Sequence, residues 1–305
     1  MGTPRFALGM AAVALVSGCS LQPVYERPAA PIAGTFPSGA AYGPVRPVSA
    51  GTRTVADIDW HDFLRDPRLR RLEEIALARN LDLRVAMLNV EQVRAQYRIQ
   101  RATLYPQVGA FADTTRTHTP AGVASNGQAD TSQAYQVGVS ASWEIDFFGR
   151  LESLDDAALQ QYFASEHAQQ AARILLVSQV ADQYLTLLAF DEQLRVTERT
   201  LTTAQASYDI VRLQFESGIG TELAMRQAQT AVELARASHA EQVRGRAQAE
   251  NALVLLVGQP LPGDLPPPVR LGAQAILAEI PQGLPSDLLA RRPDILQAES
   301  ILRAE

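Results

Sequence analysis

The carboxylates Glu144 and Asp146 stand two residues apart in a segment that alternates apolar and polar side chains. On a strand both would point the same way, about 7 Å apart. Two roles stay open for such a pair. It could form a cation-attracting ring around a lumen once several chains assemble, or it could be ordinary polar residues facing that lumen. The four histidines, His61, His118, His167 and His239, lie far apart in different predicted elements, and no HExxH or close His pair occurs. No metal site is therefore predicted. Gly218-Ile219-Gly220 has Leu223 where a dinucleotide motif needs its third glycine, and it follows a helical pattern, so it reads as a turn. No P-loop, Ser/His/Asp or Cys/His constellation is present. The expectation is a chain with no catalytic residues and no enzyme activity.

Cys19 is the other reactive side chain, and it is the only cysteine. An internal disulfide and a two-cysteine metal site are thereby excluded. Arg5 supplies a positive start, and Phe6 to Val16 is an apolar run too short to cross a bilayer as a helix. The run ends in Val16-Ser17-Gly18-Cys19, which is similar to a bacterial lipobox with Val where Leu is commonest. This predicts a signal peptide over 1–18, cleavage before Cys19 and covalent diacylglycerol and N-acyl lipid on that residue, with no other cofactor. Ser20 replaces the Asp that would suggest retention at the inner membrane, which favours the outer membrane. A formal net charge of -6 argues against nucleic acid as the partner. All basic side chains apart from histidine are Arg, which reads as GC-rich coding.

Around Glu144 and Asp146 the pattern specifies a strand. Tyr135, Val137, Val139, Ala141, Trp143, Ile145 and Phe147 alternate with Gln136, Gly138, Ser140, Ser142, Glu144 and Asp146. Trp143 and Tyr135 read as interface aromatics or as packing against a neighbouring strand. From Leu151 to Ser217 there is neither Gly nor Pro. As one helix, Leu151–Glu216 would measure about 99 Å. No ordinary globular domain needs such a rod, whereas a membrane strand feeding a periplasm-spanning helix does.

The remaining segments arrange themselves around these two elements. Residues 19–58 carry Pro23, Pro28, Pro31, Pro37, Pro44 and Pro47 and read as an extended lipidated tether, about 130 Å at full reach. Residues 59–104 predict helices, one opening at Asp66-Pro67 and a second after Asn80-Leu81-Asp82, ending before Tyr105-Pro106. Residues 105–147 predict a membrane hairpin. Val108, Ala110 and Ala112 alternate with Gly109, Phe111 and Asp113 as its weaker first strand, and 115–132 forms a polar loop. Residues 148–258 predict a long antiparallel helical hairpin. Its turn lies at Ser217–Glu222, Thr221 is the second N-cap and Gly258 the stop. A Pro-rich connector follows over 259–284. The fold class is mainly α with a small β part.

Residues 285–305 open what reads as a second repeat. Leu289-Ala290-Arg291-Arg292-Pro293-Asp294-Ile295 echoes Leu77-Ala78-Arg79-Asn80-Leu81-Asp82-Leu83 at constant offset, with Pro293 at the helix break. The sequence stops inside the helix it has just begun. The expectation is a truncated product lacking roughly 190 residues of the second repeat. Such a chain would not form a stable channel alone, because its strand edges would lack partners.

In order along the chain come Tyr25-Glu26-Arg27-Pro28, Asp59-Trp60 with Phe63 and Asp66-Pro67, and Trp143-Glu144-Ile145-Asp146-Phe147-Phe148-Gly149-Arg150. Phe215-Glu216-Ser217-Gly218, Gln227-Ala228-Gln229, Leu255-Leu256-Val257-Gly258 and Arg292-Pro293-Asp294-Ile295 follow. With the lipobox at Cys19, this ordered set resembles the TolC-like outer-membrane factors, in the lipoprotein branch that serves drug and metal efflux pumps. The resemblance covers nearly the whole chain.

It implies a homotrimer. Each full chain gives four strands to a twelve-stranded transmembrane β-barrel and long helical hairpins to an α-barrel tunnel in the periplasm. It implies an outer-membrane location, a lipid anchor and a passive exit duct for drugs or other small toxic compounds. The implied partners are a periplasmic adaptor protein, an inner-membrane efflux pump and outer-membrane lipid. The turn at Ser217, Gly218, Gly220, Thr221 and Glu222 would be a periplasmic tip for adaptor contact and pore closure. Family members often carry Asp where this chain has Ala224, which puts an acidic gate there in doubt despite the nearby Glu222. The other readings are a structural or adhesive envelope lipoprotein and the exit duct of a type I secretion system.

Overall fold

The computed structural model describes residues 23, 25–28, 59–125, 127–274 and 289–305. Cys19 and most of the expected tether lie outside the described residues. The described residues fall into two compact units. One holds 23, 25–28, Glu91–Ser165 and Ala298–Glu305; the other holds 59–90, 166–274 and 289–297.

Asp59 caps a short helix, α1 (Trp60–Phe63), and Asp66 caps α2 (Pro67–Arg79) with Pro at the first position. Asn80 breaks the helix and restarts it. Its Oδ1 accepts from the Leu83 N–H at 2.8 Å as N-cap of α3 (Leu81–Ala102), and its amide donates to the Leu256 carbonyl at 2.9 Å. β1 (Gln107–Thr119) and β2 (Asp130–Ser142) form a two-stranded antiparallel sheet. α4 (Arg150–Glu216) is a single helix of 67 residues, the direct result of a segment free of helix breakers. Thr221 caps α5 (Glu222–Val257), and Gly258, at φ 76°, ends it in the left-handed region. α6 (Pro293–Ala304) follows helical residues 289–291 and a break at Arg292, the counterpart of the Asn80 break.

The core of the second unit is where α2, α4 and α5 meet. Leu69, Leu72 and Ala76 of α2 pack with Leu176, Val180, Tyr184 and Leu188 of α4 and with Ala249, Leu253 and Val257 of α5. The spacings of three and four along each helix place these residues on one stripe.

Two boundaries differ from expectation. The strand expected over 135–147 runs instead over Asp130–Ser142, and the loop expected over 115–132 shortens to 120–129. The outer half of β1 is rich in Thr, a good strand former, and it pairs in register with Asp130–Tyr135, so each strand supplies the other's hydrogen bonds. At the other end the register closes at Gln107↔Ser142. Pro106 precedes Gln107 and has no N–H to extend the ladder, so residues 143–147 have no strand to pair with.

Candidate membrane hairpin and helical tip

The register sorts the hairpin into two faces. Val108/Ala141, Ala110/Val139, Ala112/Val137 and Thr114/Tyr135 lie opposite one another on one face, which becomes polar at Arg116/Gln133 and His118/Thr131. The other face carries Gln107/Ser142, Gly109/Ser140, Asp113/Gln136, Thr115/Ala134 and Thr117/Ser132. Val108, Tyr135, Val137 and Val139 are all more than 70% exposed, which is an apolar band in search of an apolar surrounding. Strands of 13 residues exceed the span a tilted membrane strand requires. Phe111 is the one aromatic on the polar face. Its ring fills the space over Gly138, where a Cβ would stand 2.6 Å from Cζ. The alternation of 107–113 marked that face, but only the register pairs Phe111 with a glycine.

Glu144 and Asp146 correct the strand-face reading given above. Neither lies in β2, so they are not strand neighbours pointing one way. The Asp146 carboxylate accepts from the backbone N–H groups of Arg150, Leu151 and Glu152 at 2.7–3.0 Å and caps α4. Lost hydration pushes this carboxyl upward, but these bonds together outweigh that and hold it below its ordinary range. Glu144 pairs with Arg150 at 2.6 Å. Their joint task here is to convert a strand into a helix within a few residues. Trp143 Nε1 donates to the Leu104 carbonyl at 3.2 Å, tying the end of β2 to the end of α3, and half its side chain remains exposed.

The tip residues Ser217, Gly218, Gly220, Thr221 and Glu222 come together in one tight turn. Gly218 sits at φ 75°, its N–H donates to Phe215 O, and Ile219 N–H donates to Gln214 O, both at 2.9 Å. This is a Schellman stop. Gly220 N–H also reaches Gln214 O, so closely that a Cβ would lie 3.0 Å from Phe215 N. Thr221 Oγ1 accepts from Ala224 N at 3.2 Å, and Glu222 pairs with Arg226 at 3.4 Å, both well exposed. Ile219 and Leu223 are 83% and 68% exposed, so the tip presents apolar side chains outward on a backbone whose own hydrogen bonds are met.

Two buried polar groups of the second unit have surroundings that the sequence did not show. Asp66, 3% exposed, accepts from the Tyr184 hydroxyl at 2.9 Å and from Gln274 Nε2 at 2.8 Å, besides capping α2. Burial and the neighbouring carboxylate push the Tyr184 phenol up. Asp-Pro announced the cap; the partners from 118 and 208 residues away could not be read. Glu73 is fully buried among Leu69, Leu72 and Ala76, with neither carboxylate oxygen hydrogen-bonded. Burial pushes it up to about 8. Among the described residues no group of metal-ligating side chains converges, and no helix is long and apolar enough to cross a membrane. The second fact has no bearing on strands.

Residues 72–259 match the family described as outer membrane efflux protein. The chain is 43% identical over 292 residues to the "Probable efflux pump outer membrane protein TtgC" of Pseudomonas putida, covering 95% of this chain and 59% of that one. It is 40% identical over 306 residues to outer membrane protein OprJ of Pseudomonas aeruginosa, covering 100% and 62%. Among solved structures, the open state of the MtrE outer membrane channel of Neisseria gonorrhoeae superposes with a TM-score of 0.74 at 36% identity, covering 94% of this chain and 61% of that one. The chain thus spans about three fifths of the length of the curated relatives it matches. With an amphipathic hairpin running into a 67-residue helix, and with relatives aligned along nearly its whole length, this chain belongs to the outer membrane efflux protein family.

Proposed function

We propose that this chain is a component of the outer-membrane duct of a tripartite efflux system, a passive exit for drugs, solvents or other small toxic compounds. The observation that carries this reading is the register of β1 and β2, apolar along one face and polar along the other. A barrel built from such hairpins turns the apolar face to lipid and the polar face to a lumen. A lone hairpin leaves two unpaired strand edges, so several must close together. This supports assembly as a homotrimer. The relatives' names, which include antibiotic, toluene and solvent efflux pumps, support the substrate class.

The partners proposed are a periplasmic adaptor, engaged at Ser217–Glu222, and an inner-membrane pump that supplies the driving force. The duct itself carries no catalytic step and no resident cofactor. Its anchor is the acylated Cys19 in the outer membrane, with the helical hairpin reaching into the periplasm. The lining of the barrel is assigned to the polar face of β1 and β2, with Glu144 and Asp146 just beyond its end.

The test is the native mass of the gene product carrying these residues in an outer-membrane fraction, blotted with and without denaturation. A trimer before denaturation, together with stepwise conductance in planar bilayers, supports the duct. A stable assembly with no conductance would instead make the protein a structural envelope lipoprotein.

A further inference from the structure

The register of β1 and β2 also sorts their charges by face. The polar face carries the carboxylates Asp113 and Asp130 and no basic side chain among its strand residues. The apolar face carries Arg116 and His118 and no carboxylate. Acids thus stand on the lumen side of the hairpin and bases on the lipid side.

The two bases sit where the apolar band ends. Tyr135 lies opposite Thr114, and Arg116 is the next position of β1 on that face. His118 follows it on the same face, about 7 Å further along the strand. Both are exposed, and Arg116 is in no ion pair among the described residues. His118 Nδ1 lies 2.8 Å from Thr131 Oγ1 of β2. When that nitrogen accepts from the hydroxyl, the ring proton stands on Nε2, the nitrogen left for a ligand.

Their depth follows from the length of the strand. The ladder starts at Gln107, beside Trp143, at the end where α3 and α4 join the hairpin. Arg116 lies nine residues further along β1, and a tilted strand needs about nine to eleven residues to cross the hydrocarbon. In a barrel whose helices reach the periplasm, Arg116 therefore stands at the opposite membrane surface, where it meets headgroups rather than acyl chains.

A guanidinium fork complements a phosphate through two parallel N–H bonds, and the imidazole beside it adds a third donor. The same face continues down through Tyr135, Val137 and Val139, all exposed, which suits the acyl chains of the molecule that carries the phosphate. A free anion would use only the upper part of this surface.

We propose that Arg116 and His118 form a site for the phosphate headgroup of a lipid in the outer leaflet, with its acyl chains lying along Tyr135, Val137 and Val139. The site sets the height of the hairpin in the bilayer and selects an anionic lipid for the barrel wall. It rests on the barrel reading above.

The test is native mass spectrometry of the gene product carrying these residues, released from micelles that contain one of two probes. One probe is the diphosphorylated disaccharide lipid of bacterial outer leaflets, and the other is the same lipid with its phosphates removed. The native protein is expected to retain the phosphorylated lipid several-fold more. Arg116→Gln should abolish most of that preference, and His118→Gln should lower it by a smaller factor. Arg116→Lys should keep part of it, since the charge stays and the fork is lost. No preference in the native protein, or one unchanged by Arg116→Gln, would overturn the site. Equal occupancy by inorganic phosphate in lipid-free detergent would assign it to a free anion and overturn the lipid. Trimer mass and planar-bilayer conductance are measured on the same preparations. A conducting trimer without the lipid preference removes the site and leaves the duct. An Arg116-dependent preference in a protein that neither trimerises nor conducts keeps the site and removes the duct.

Discussion

Phe190 of α4 occupies the space that a side chain at Gly245 of α5 would need: a Cβ there would stand 2.4 Å from Phe190 Cε1. The glycine that interrupts an otherwise breaker-free helix is thus a socket. Gly245→Ala gains about 1 kcal/mol of helix propensity but overpacks a site where overpacking costs about 1–3 kcal/mol. The expected outcome is a lower melting temperature by circular dichroism. In a Phe190→Ala background the clash is gone, and the same substitution should stabilise by up to about 1 kcal/mol. Equal effects in both backgrounds would contradict the socket.

The bond from Tyr184 to Asp66 joins α4 to the N-terminus of α2. Tyr184→Phe leaves Asp66 with its backbone donors and Gln274, so the cost should sit at the low end of the range for a lost buried bond, about 1 kcal/mol. Asp66→Ala removes the cap and the acceptor of the Tyr184 hydroxyl, while the Gln274 amide keeps its bond to the Val269 carbonyl, and should cost roughly 3 kcal/mol. Urea unfolding followed at 222 nm checks the ratio; near-equal losses would mean that Asp66 acts through Tyr184 alone.

Glu73 gives the fold a pH dependence of known sign. Its folded value of about 8 lies above its ordinary 4.5, so the native state holds a proton that the unfolded chain has released between those limits. Stability is full below pH 4.5 and falls as pH rises towards 8, by up to about 1.4 kcal/mol per unit. Glu73→Leu should flatten this slope and raise stability at pH 8. A slope unchanged by the substitution would show that Glu73 is ionised in the folded protein.

Gly218 is expected to be intolerant for a backbone reason. At φ 75° any side chain is strained, and Gly218→Ala should cost about 1 kcal/mol. No heavy atom lies within 4 Å of the added Cβ, so packing plays no part. Faster amide exchange at Ile219 and Gly220, with the helices otherwise unchanged, is the expected signature. Unaltered exchange at those two amides would show that the Schellman stop does not hold the tip.

The local rules written into the chain settled its elements. A segment without Gly or Pro becomes one helix, Thr221 and Asn80 cap because their oxygens reach the next turn's amides, and Gly258 ends α5 because it tolerates a left-handed backbone. Alternation gave the hairpin and its two faces, since side chains on a strand can only alternate. The strand's end was not legible: Trp143–Phe147 continues the alternation, but a strand persists only where a partner supplies hydrogen bonds, and β1 starts at Gln107 after a proline. That is why Glu144 and Asp146 become an ion pair and a helix cap. The pairings of Phe111 with Gly138, Phe190 with Gly245 and Asp66 with Tyr184 were likewise decided only in three dimensions. Sequence periodicity fixes which face a residue occupies; which distant residue meets it depends on how the faces are brought into contact, and only the folded chain determines that.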